Sequence, residues 1–143
     1  MPSRRESVLQ ALLATLTTVP GATVERESAI PERVSQGGLI IQRDGDPGTP
    51  EIILSPLTYC YEHAARLEVI VQTGQPAARA IALDGLLRAI GTALATDRTL
   101  GGTCDWLAWG APAVEELPVN GGAPVRAATV IVTLSYSTSD PLG

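Results

Sequence analysis

The residues best equipped for chemistry in this sequence are its two cysteines and its single histidine. Cys60 and His63 have a C-x-x-H spacing, and Cys104 is the only other thiol. A zinc site takes three or four such ligands, and a Cys–His nucleophile requires the two side chains to meet. On a strand, positions three apart point to opposite faces. We therefore predict no metal or cofactor, a histidine packed at the end of a strand, and reduced, buried thiols, with one disulfide as the alternative.

Two further motifs are better explained by backbone geometry than by ligand binding. Gly101 and Gly102 follow a helical pattern, whereas phosphate-binding glycine loops precede a helix, where unpaired N–H groups point outward. These glycines are predicted to take the left-handed angles of a helix C-cap and turn. Asp44 and Asp46 resemble the start of a calcium loop, but the glutamate at its twelfth position is absent. The sequence therefore predicts a turn at these aspartates. Taken together, the motifs predict no catalytic residue and no enzyme activity.

Composition limits the classes of partner. The chain has 143 residues, 45% hydrophobic and 17% charged, with a net charge of −5. One domain spanning residues 1–143 is expected. An acidic chain is poorly suited to binding a phosphate backbone, and no apolar run approaches the ~18 residues of a membrane span. Glu6 and Gln10 interrupt the apolar residues near the N-terminus, so we predict an amphipathic helix there rather than a targeting peptide.

Apolar periodicity and breakers divide the chain into helices and strands. Ser3 and Glu6 have the spacing of a capping box, and Pro20 and Gly21 end the helix that follows. The later predicted elements are a strand at 22–30, a hairpin at 36–54 with its tip at 44–50, a strand at 57–73, a helix at 76–95, two short strands or one bent one at 104–119, and a strand at 124–139.

This order favours an α+β fold. Short connections between strands give an antiparallel or mixed sheet, and two helices with one apolar stripe each cover the same face. We expect a two-layer sandwich whose other face and strand edges are open to partners. Trp106 and Trp109 have opposite parity, so one should face inward and one outward, and Trp109 is our candidate anchor at a subunit boundary.

Several segments resemble one family of proteins. They are "LEVIVQT", "LATDRTLGG", the "AAT" that leads into the last strand, and "YSTSDPLG" at the C-terminus. With this order of elements, the chain resembles tail terminator proteins of long-tailed bacteriophages and of phage-derived gene transfer agents. The resemblance implies a virion structural protein, made in the bacterial cytoplasm and located in the particle's tail. It would form a hexameric ring at the head-proximal end of the tail tube, end tube polymerisation and provide the surface where the head docks. The implied partners are other copies, the major tail tube protein and a head-completion or connector protein.

The residues expected at such interfaces come from exposure and turn composition. They are Arg43, Asp44 and Asp46 in the predicted hairpin, Trp109, and Asp140 in the C-terminal segment. The alternatives are a tail-completion or head-closure connector protein, a small acyl-transferring enzyme using a cysteine, and a monomeric binding module with a ligand pocket.

Overall fold

A computed structural model describes residues 1–117 and 124–143. The elements in these ranges are α1 (Arg4–Leu16), β1 (Thr23–Arg26), β2 (Leu39–Asp46), β3 (Glu51–Leu54), β4 (Leu57–Val71), α2 (Pro76–Thr96), β5 (Trp106–Trp109), β6 (Ala113–Leu117) and β7 (Val125–Thr138). The prediction of two short strands after α2 is confirmed, and its last residues, 118 and 119, lie outside the described ranges. No helix of the described residues is long and apolar enough to cross a bilayer.

The centre of the sheet is the antiparallel pair of the two longest strands, β4 and β7. Their pairing runs from Tyr59 opposite Thr138 to Val71 opposite Arg126. Two short strands lie end to end along the outer side of each: β2 and β3 along β4, and β5 and β6 along β7. β1 adds to β2 in parallel, so the predicted mixed sheet is confirmed.

Both helices pack on one face of this sheet, as predicted. The main core joins them to one side of β2, β4, β5 and β7, where apolar side chains of the helices and the sheet pack closely against each other. Its best-buried members are Val8, Leu12, Leu16, Ile40, Leu67, Val69, Leu94, Leu107, Val132 and Leu134. The opposite face is not entirely open. Val34 covers one end of it, over Ile41, Ile70 and Val125.

The predicted 36–54 hairpin is wrong. β2 and β3 do not pair with each other, because β4 has fifteen residues and accommodates both strands in series. Asp44 lies with Gly45 in a bulge of β2, and Asp46 is the paired residue after it, so both aspartates are strand residues and form no hairpin tip. Gly45 has a φ of +65° at that bulge, and a Cβ there would lie 1.9 Å from the carbonyl oxygen of Ala64. The hairpin in this region is formed by β3 and β4, joined by Ser55 and Pro56.

The glycine pair after α2 lies in a turn, as predicted. Gly101 and Gly102 have φ values of +71° and +83°. However, the C-cap of α2 is Asp97, with an extended backbone, so the prediction that the glycines cap this helix is wrong. The carboxylate of Asp97 accepts hydrogen bonds from the hydroxyl of Thr99 and from the backbone N–H groups of Thr99 and Gly101, and these bonds lower its pKa. The loop is thus held by its own side chains, with a structural role for the glycines.

Candidate functional site

Four exposed large apolar side chains lie together in the hairpin formed by β3 and the start of β4, residues 51–58, which we term the apolar hairpin. Ile52, Ile53, Leu54 and Leu57 are 53%, 47%, 79% and 48% exposed. Ile52 and Leu54 point to one side of the strand and Ile53 to the other. Pairing of β4 with β7 begins only at Tyr59, so the hairpin extends past the central strand pair and both its faces are accessible.

An apolar groove lies at the other edge of the sheet. Its volume is about 380 Å³, and it opens where β5 ends and β6 begins, between α2 and β7. Among the described residues, those that line it carry no charge; they are Leu87, Ile90, Gly91, Trp109, Gly110, Ala111, Pro112 and Val130. The groove lies where the edge strand is interrupted at Gly110 and Pro112, between the end of β5 pairing at Trp109 and the start of β6 pairing at Ala113.

The predicted interface residues on β2 form contacts within the chain. A guanidinium nitrogen of Arg43 lies 3.1 Å from a carboxylate oxygen of Glu68. The carboxylate of Asp44 accepts two hydrogen bonds from Arg26, at 2.8 and 2.9 Å. Asp46 is exposed. Two of these three charges therefore stabilise the tertiary structure, since each lies within hydrogen-bond distance of an opposite charge.

Arg26 is the hub of this charge cluster. Besides Asp44 it donates to both carboxylate oxygens of Glu6, at 2.7 and 2.9 Å. One guanidinium thereby joins α1, β1 and β2. The hydrogen bonds from Arg26 are the main cause that lowers the pKa of Glu6 to about 2. Such a planar, bidentate arrangement is a geometry that lysine does not provide.

His63 is buried in the middle of β4, so its predicted packing is confirmed and its predicted place at a strand end is wrong. Its Nε2 lies 2.6 Å from the carbonyl oxygen of Asp44, and its Nδ1 lies 2.8 Å from the hydroxyl of Tyr136. The carbonyl only accepts, so Nε2 donates and Nδ1 of a neutral ring accepts from Tyr136. Burial raises the pKa of Tyr136 to about 12, which keeps that donor protonated. Both ring nitrogens are occupied, and neither contacts a thiol.

The cysteines are not arranged as nucleophiles. Both are free; Cys104 is buried and Cys60 is half-buried. Burial is the largest cause that raises the pKa of Cys104 to about 11, whereas a reactive cysteine needs a stabilised thiolate. Among residues 1–117 and 124–143, no three His, Cys, Asp or Glu side chains are placed to hold a metal ion together.

The two tryptophans face opposite sides of β5, as predicted, but the more exposed one is Trp106. It is 52% exposed, while Trp109 is half-buried against the core and lines the apolar groove. The guanidinium carbon of Arg98 lies 5.0 Å from the ring centroid of Trp106 and 4.3 Å from that of Trp109. Arg98 also donates to the carbonyl of Leu107, which occupies part of the free edge of β5.

The predicted interface residues do not form one surface. Arg43 and Asp44 belong to the ion pairs of β2, Trp109 lies across the sheet at the groove, and Asp140 lies in an exposed turn at the C-terminus. Asp140 is near the base of the apolar hairpin, since its carbonyl accepts from Thr138. The hairpin residues were missed, although the sequence places four large apolar residues around Ser55 and Pro56.

No protein-family model and no curated protein matches the sequence.

Proposed function

We propose that this protein is a tail terminator subunit of a phage-like particle. In this role, copies assemble into a ring, six in the particle, on the head-proximal end of the tail tube. The ring ends polymerisation of the major tail tube protein and provides the docking surface for a head-completion or connector protein. The completed protein resides in the tail after synthesis in the bacterial cytoplasm.

The observation that carries this proposal is the apolar hairpin. Exposing four large apolar side chains at one tip to water is unfavourable. Burying them against a partner would contribute about 0.8 kcal/mol of binding free energy for each CH₂ group. A hairpin that extends past the central strand pair can reach a neighbouring protein without disturbing the core beneath the helices. The resemblance of "LATDRTLGG" and "YSTSDPLG" to tail terminators supports a tail protein or another copy of this chain as that neighbour.

A role without bond chemistry is supported by the surroundings of the candidate nucleophiles. The ring of His63 uses both nitrogens within the fold, and the thiol of Cys104 is buried with a raised pKa. A general base must reach the proton that it abstracts. His63 and Cys104 are instead committed to the packing of the fold.

The test is removal of the gene from a particle-producing host, followed by negative-stain microscopy of the particles. Overlong tubes without heads are the expected result. Headless tails of normal length would instead indicate a head-closure or tail-completion protein, and particles of normal appearance would refute any role in tail assembly.

Complementation with variants connects the phenotype to the surface. Leu54→Asp at the hairpin should restore normal particles poorly, because it places a charge where apolar contact is needed. The matched control is Ile81→Asp on α2, which alters an apolar side chain that is 74% exposed outside the hairpin. It should restore particles fully. Equal behaviour of the two variants would show that the hairpin has no special role.

A further inference from the structure

The apolar hairpin and the apolar groove lie on opposite edges of the same sheet. The hairpin belongs to the outer side of β4, and the groove lies on the outer side of β7. One is a protrusion with large aliphatic side chains, and the other is a depression whose described lining residues are all uncharged. Each copy of the chain therefore has both halves of a possible contact, and within one copy the central strands keep them apart.

Charges beside the two surfaces are also complementary. Glu51 opens the hairpin and is exposed, and Arg88 is exposed next to Leu87, one turn before Gly91 in the groove wall. In the described part of the chain, neither of these two charges forms an ion pair with another side chain. A rim pair of opposite charge orients an apolar contact, and it contributes more to specificity than to affinity.

We propose that the apolar hairpin of one copy seats in the groove of the next copy, with Glu51 facing Arg88 across the boundary. This contact rests on the proposed function, since it is the contact that would build the ring. It joins two different surfaces and is therefore heterologous, so repeating it gives a closed ring where the rotation closes and a filament where it does not. A second copy is a better partner for the hairpin than the tube protein, because the repeated contact covers the hairpin of one copy and the groove of the next at the same time.

The groove can be blocked without disturbing the fold. Gly91 is in the interior of α2, and a Cβ added there meets nothing within 4 Å. Gly91→Leu places a side chain in the groove and also favours the helix, because leucine has a higher helix propensity than glycine. Gly85→Leu is the matched control: it is in the same helix with equally open space, and it does not line the groove.

The contact is measured by disulfide trapping between copies. The chain is made with Leu54→Cys at the hairpin and Ala111→Cys at the groove, in a Cys60→Ser background that removes the half-buried thiol. Oxidised particles, and the purified chain at high concentration, are separated on a non-reducing gel. A ladder of covalent multimers is expected, and chains with either introduced cysteine alone should give none.

Blocking should remove the ladder selectively. Gly91→Leu and Ile53→Asp should each lower the trapped fraction at least about tenfold, the loss typical of a central interface residue, while Gly85→Leu stays within about twofold. Glu51→Arg and Arg88→Glu should each reduce trapping, and the double exchange should restore it.

The possible failures separate the two proposals. If particles contain the protein and show normal tail length, but oxidation yields no ladder, the hairpin–groove contact is refuted while the tail role stands. If only the hairpin variants change tail length and Gly91→Leu has no effect, the occupant of the hairpin is the tube protein, and the contact is likewise refuted. If the protein is absent from particles, the proposed function fails, and trapping of the purified chain alone then decides on the contact.

Discussion

The ion pairs of Arg26 predict a specific dependence of stability on pH. Glu6 has a pKa of about 2 in the folded protein, below its ordinary value of 4.5. The stabilisation is therefore complete above pH 4.5 and is lost as the pH falls toward 2. If the pair were fully buried from solvent, this pKa difference would contribute roughly 3 kcal/mol to the free energy of unfolding. Because the side chain of Glu6 is 36% exposed, screening reduces this to about 1 kcal/mol.

The variant that isolates this contribution is Glu6→Gln. Glutamine keeps the size of the side chain and the N–H that Ser3 caps at the start of α1, while it removes the charge. The free energy of unfolding is measured with urea at several pH values between about 7 and 2.5. The variant should be about 1 kcal/mol less stable at neutral pH, and the two curves should converge in acid.

An exposed carboxylate, Glu32, provides the control. Glu32→Gln should leave the curve of the natural chain unchanged within about 0.5 kcal/mol, as is usual for surface substitutions. If the natural chain and Glu6→Gln keep a constant separation down to the lowest pH, or do not differ at neutral pH, the role assigned to the Arg26–Glu6 pair is refuted.

Three further predictions are checked by urea unfolding. Leu107→Ala, at a wholly buried position, should cost about 2–5 kcal/mol, and a smaller loss would mean that the site collapses around the cavity. Tyr136→Phe should cost about 1–3 kcal/mol, because it leaves Nδ1 of buried His63 without its donor, and an unchanged free energy would contradict this hydrogen bond. Gly45→Ala should cost more than about 1 kcal/mol, while Gly48→Ala, also at positive φ but in open space, should cost less; equal losses would show that backbone angle alone matters.

Local sequence signals located most of the elements. The Ser3 hydroxyl accepts a hydrogen bond from the backbone N–H of Glu6. This half of the predicted capping box is therefore present at the start of α1. Alternating apolar residues along β4 put Leu67 and Val69 on one face of the strand, and both are wholly buried under the helices. These predictions succeed because capping and periodicity depend on residues a few positions apart.

The choice of strand partners was beyond local signals. Two apolar runs separated by a turn-rich segment predict a hairpin, but here each run pairs with a different part of β4. Two features decide this pairing. β4 is long enough to pair with both strands, and Leu39–Gln42 of β2 are all buried where β2 lies beside β4. Pairing depends on which distant surfaces can be buried together, and a single strand does not contain that information.

The candidate sites show the same difference between local signals and long-range contacts. By itself, the sequence determined an α+β fold with amphipathic helices, a turn at the glycine pair and opposite faces for the two tryptophans, because each follows from the short-range geometry of helices, turns and strands. Only the tertiary structure decided that Asp44 lies against Arg26 and His63, that Trp109 lines a groove, and that four apolar residues stay exposed at the far edge. Those outcomes depend on contacts between residues distant in the chain, and on which side chains remain uncovered after the core has formed.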